Sequence, residues 1–274
     1  MARTDANINK ETLAFVCSQI GVTTVFLSQR TGHPEGKISA WLDFDNDAFP
    51  TINQAKSLAK VLKVPFAGLY MNKVNLPLKH LPSLRNLRTL PYACPLDDSA
   101  LNLAVIELIR YHDFLTSSEE EMNIHTIPLS LPASSDDAGA ADYAKTIREY
   151  FELELHVQFK LGSARQFYLY VREKIESKGI FVHCFTGVDV EIARGIAIYN
   201  ETTPIIGIND NDRYPAKTFS LIHELVHILK HQSTLCNEMF SSFSSQTEEV
   251  FFFFFSGEVL VHAAAVGAFL SAYM

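Results

Sequence analysis

Apolar side chains recur every three to four residues over Lys10–Ile20, with Leu13, Val16, Cys17 and Ile20 on one stripe, and predict an amphipathic helix. The same period predicts helices over residues 23–30 and 35–42, with Gly32 as the break between them. Thr51 is placed to cap a fourth helix running to Leu62, and Pro65 to open a short fifth. Residues 73–95 are rich in Leu, Pro and Arg without such a period and read as a link. A long amphipathic helix is expected over residues 97–116. A loop with the acidic run Glu119-Glu120-Glu121 follows to residue 140, then helices over 142–151 and 164–178. Beyond a turn at Gly179 the spacing changes. Residues 180–185 read as a strand, and residues 196–199 and 204–208 as a hairpin closed by Asn200-Glu201-Thr202-Thr203. From about Pro215 a helix begins that is apolar nearly all round through Leu221, Ile222, Leu225, Val226, Ile228 and Leu229, so it should be buried. The expected fold class is α+β, mostly helical. A five-helix bundle (residues 1–72) leads through a linker (73–96) to a domain (97–274) with a small β-sheet beside several helices.

The last residues, 250–274, are almost continuously apolar and meet the crude length for a membrane span, about 18 residues. Glu258 interrupts them, and a carboxylate inside a bilayer costs roughly 2.5 kcal/mol or more. A buried helix packed on the preceding apolar helix is the expectation, with no membrane partner. The abrupt end at Met274 reads as a truncation.

Inside the apolar helix stands His223-Glu224-Leu225-Val226-His227, the pattern H-E-x-x-H. Two helical residues four apart differ by only about 40° around the axis, so both imidazoles can face one Zn²⁺. Glu224 stands beside them and can accept a proton from the attacking water of a hydrolysis. The pattern is short and also occurs in unrelated helices. What strengthens it here is the buried setting, where polar side chains need partners and a metal ion supplies one. Hydrolytic zinc takes three protein ligands. Candidates for the third are Glu248, Glu249, Glu238, Glu258 and His262; His231 lies a further turn along and reads as a helix-end or supporting residue.

Residues 195–258 resemble the ImmA/IrrE-type zinc metallopeptidases. The resemblance is carried by Arg194-Gly195-Ile196-Ala197-Ile198-Tyr199, by Pro204-Ile205-Ile206-Gly207-Ile208-Asn209, and by Lys217 through His231 around the histidine motif. It implies a zincin-like metallopeptidase domain, with Zn²⁺ held by His223, His227 and Glu249 and with Glu224 as the catalytic base. Two departures stand out. Phe252-Phe253 replaces the family's Cys-Asn or Ala-Asn, within five consecutive phenylalanines, and His262 replaces its usual Pro. Residues 10–71 resemble an XRE-type helix-turn-helix domain through Gly32 to Trp41 and Pro50 to Phe66. The two resemblances imply a fused regulator whose protein substrate is a helix-turn-helix repressor, with roles in stress response or mobile-element transfer.

Charge separates the two parts. Residues 1–90 hold 11 Lys and Arg against 6 Asp and Glu, while the rest holds 12 against 25. The first part is compatible with nucleic acid and the second with a protein substrate. The third helix is nonetheless poor in base-reading side chains. Only Lys37 and Ser39 suit DNA contact, and Asp43, Asp45 and Asp47 follow. Docking or homodimerisation is as good a role for this domain. Four cysteines without C-x-x-C spacing and a start lacking an apolar leader lead to a cytoplasmic expectation. Tyr214, Arg213 and His262 are candidate donors to the oxyanion of peptide cleavage. Beside this zinc endopeptidase stand two competing readings. One is a DNA-binding regulator with a sensory or inactive peptidase part, and the other a folded peptidase disabled by its phenylalanine run.

Overall fold

The computed structural model describes residues 4–72, 99–121, 140–158, 160–231, 233–236 and 255–260. They divide into two compact units, the first holding residues 4–72 and 99–107, the second the described residues from Leu108 onward. The expected linker falls outside the described residues.

The first unit contains α1 (Lys10–Ile20), α2 (Thr24–Thr31), α3 (Glu35–Leu42), α4 (Ile52–Val61) and a 3₁₀ turn (Phe66–Tyr70). The helix boundaries follow from local chemistry. Asn9, Thr23 and Thr51 each accept a backbone N–H with their side chains, and Gly21 and Gly32 end their helices in the left-handed conformation. Thr51 and Gln54 form a reciprocal capping box. The expected fifth helix is a single 3₁₀ turn, because only five residues lie between Pro65 and the extended Met71. Leu13, Val16, Ile20, Leu27, Ile38, Trp41 and Leu58 form the core. The first turns of α5 (Ser99–Glu121) close it with Leu103 and Ile106.

In the second unit α5 continues to Glu121, so the acidic run belongs to a helix rather than to the expected loop. The unit also holds α6 (Ala140–Tyr150), α7 (Leu155–Gln158), α8 (Ala164–Glu176) and α9 (Tyr214–Leu229). Its four-stranded sheet has the order β1 (Phe181–Phe185), β3 (Ile205–Asn209), β2 (Gly195–Ile198), β4 (Thr234–Cys236). β1 runs parallel to β3, and β2 is antiparallel to both neighbours. The expected hairpin is present as β2 and β3; β4 was not foreseen. Because side chains alternate across a strand, Val182, Ala197, Ile206 and Ile208 join one core with α6, α8 and α9. The other face meets α5 at Gly207, where a Cβ would lie 3.0 Å from Leu108. Residues 255–260 are helical and bury Phe255 and Val259 in the same core as α9.

Candidate metal centre

Every residue from Ser220 to Leu229 on α9 is buried, which is what an all-round apolar helix requires. Tyr214 and Pro215 open it; proline suits a first turn, where its missing N–H is not needed. The approach to the helix is fixed by Asn209 at the end of β3. Its buried amide donates to the carbonyls of Val188 (3.1 Å) and Ala193 (2.8 Å), and its oxygen accepts from the Asn211 N–H (3.0 Å). Arg194 pairs with Asp212, and Lys217 with Asp210 at 2.6 Å, on the same turn.

His223, Glu224 and His227 keep only 4%, 1% and 1% of their surface. The two Nε2 atoms face one another at 3.3 Å. Two nitrogens bonded to one tetrahedral zinc at about 2.0–2.1 Å stand about 3.3–3.4 Å apart, so the pair has the separation of two zinc ligands. The same distance also lets one ring donate a hydrogen bond to the other. Burial first, and the neighbouring His227 second, push the His223 pKa down to about 3. The ring is therefore neutral at pH 7, the form a metal ion needs. Buried and correctly spaced, with His223 neutral, this donor pair fits a zinc ion.

Glu224 lies against Gly195 of β2. A Cβ on Gly195 would sit 2.6 Å from Glu224 Cγ and 2.7 Å from Cδ. Sequence reading named Gly195 in a motif but gave it no role; the signal was there as a glycine inside a strand, which often marks a close approach.

The other expected residues are distributed as follows. Glu249 and His262 lie outside the described residues, and among those described no group of three His, Cys, Asp or Glu side chains is assembled for a metal. Tyr214 and Arg213 stand at the far end of α9, about 13 Å along its axis from His223. The Tyr214 hydroxyl accepts from Arg165 at 3.2 Å. His231 ends the helix in the left-handed conformation and stacks on Tyr199, with ring centres 4.6 Å apart. In the first unit, Ser39 donates back to the Glu35 carbonyl (3.1 Å) and Lys37 lies over the Trp41 ring (5.4 Å).

The sequence model of the peptidase family described as the IrrE N-terminal-like domain matches residues 178–273, a stretch that includes β1 to β4 and α9. No curated protein and no solved structure matches the chain. The family match supports a metallopeptidase of the ImmA/IrrE kind for this segment.

Proposed function

We propose that this chain is a zinc-dependent endopeptidase with a regulatory role, cutting a protein partner such as a helix-turn-helix repressor. The observation that carries this reading is the buried imidazole pair at 3.3 Å with the Glu224 carboxyl in the same helical turn. His223, His227 and Glu249 would hold the ion. Zinc, when bound, supplies Lewis acidity towards water and the scissile carbonyl. Glu224 takes the proton of the attacking water and returns it to the leaving amine. Its burial keeps bulk water from competing for that proton, and its fixed position beside His223 limits the directions from which water can approach. Tyr214 and Arg213 take no part, being at the other end of α9. A repressor substrate and a role for the N-terminal bundle in docking it are supported by the fused helix-turn-helix resemblance and by the acidic balance of the chain beyond residue 90.

Zinc stoichiometry of the full chain, measured by metal analysis after dialysis, tests the reading. About one zinc per chain is expected, lost in Glu249→Ala and in His227→Ala and kept in Glu224→Gln. Cleavage of a candidate repressor should fall about 10²- to 10⁴-fold in Glu224→Gln. A full chain without zinc ends the peptidase reading; a Glu249→Ala variant holding zinc as tightly as the parent removes only the third ligand.

A further inference from the structure

We infer that Gly195 is a positioning residue: its bare Cα is the seat on which the Glu224 side chain rests, so the strand beside α9 sets where the proposed proton acceptor points. The inference rests on the reading of Glu224 given above, but its geometry stands by itself. Gly195 is buried in β2, with its partners in register on both sides, Ile208 of β3 and Cys236 of β4. Its φ lies outside the positive range, so the backbone conformation does not call for glycine. What calls for it is space. The Cβ of any other residue would overlap Glu224 Cγ, Cδ and Oε1 together.

Neither partner can step aside cheaply. The Gly195 backbone is held by two ladders. Glu224, itself 1% exposed, sits mid-helix with Leu221 and Ile228 one turn away on either side of it, both fully buried. A methyl group at position 195 must therefore turn the carboxyl out of its rotamer, since the three atoms nearest to it all belong to Glu224 and none to His223 or His227. Glycine also weakens a strand interior. Its presence at a doubly paired strand position is a local cost borne for the helix residue across from it.

The test is a mutant cycle on the full chain, read by thermal unfolding without added metal. Gly195→Ala should lower Tm by about 3–8 °C in the parent. It should do the same in Glu224→Gln, whose side chain fills the same volume. In Glu224→Ala, where the seat is empty, the drop should vanish or reverse. Equal drops in all three backgrounds overturn the inference. If Gly195→Ala alone does not fold, folding restored in Gly195→Ala with Glu224→Ala supports the seat, and failure of that double variant overturns it. Cobalt(II) then probes positioning. Gly195→Ala should bind the same amount of cobalt as the parent while changing its visible bands, and unchanged bands overturn the positioning role. A parent that takes up no cobalt counts against the peptidase reading, and the unfolding cycle still decides the seat.

Discussion

Asn209 shows how much one side chain organises. Fully buried at the end of β3, it donates twice and accepts once, tying the turns before β2 to the start of α9. Asp at this position would set a carboxylate against the carbonyls of Val188 and Ala193. Asn209→Asp should therefore cost about 3–5 kcal/mol in urea unfolding, the range for an uncompensated buried charge; a loss below about 1 kcal/mol would mean that the amide contributes little. A strand ending in Asn was visible in the sequence as a motif, but its three backbone partners were not, because they come from two separate turns. His223 and His227 were legible for the opposite reason: four residues on one helix fix their spacing without any help from the rest of the fold.

At the scale of elements, polar groups are used to close helix ends. Lys10, in the first turn of α1 and 8% exposed, donates to the carbonyls of Ala40, Asp43 (2.9 Å) and Asn46, at and beyond the C-terminal turn of α3. It also lies over the Phe49 ring. A cation suits a helix C-terminus, and without it three carbonyls lose their donor. Lys10→Met is expected to destabilise the chain by about 2–3 kcal/mol, measured by urea unfolding; an unchanged midpoint would refute the capping role. In the second unit buried Arg148 donates to the carbonyls of Val259 and Leu153, and Gln158 to that of Leu260. These contacts fix the end of the helical stretch 255–260, which belongs to the core of α9. The sequence marked Lys10 only as the start of the first helix and Arg148 only as a residue within the helix expected over 142–151. Their burial depends on partners about 30 and 110 residues away.

For the whole molecule, charge is the property that bears on partners. The formal net charge is −8, and the third helix of the first unit is followed by exposed Asp43, Asp45 and Asp47. Ser39 and Lys37, the two side chains suited to DNA, already contact their own helix. In gel-shift assays the full chain should give no complex that survives about 0.2 M salt, since phosphate contacts alone weaken steeply with ionic strength. A sequence-specific complex persisting there would restore the DNA-binding reading. No single helix among the described residues is long and apolar enough to cross a membrane. By itself the sequence determined the α+β class, most helix boundaries, the β2–β3 hairpin and the paired histidines with their glutamate. Each of these is set by periodicity, capping or spacing within a few residues. Tertiary structure alone decided the order of the sheet with β4 at its edge, the length of α5, the burial of Lys10 and Arg148, and the resting of Glu224 on Gly195. Those features depend on which distant backbones meet, and a close approach leaves no trace in a chain beyond the absence of a side chain where it occurs.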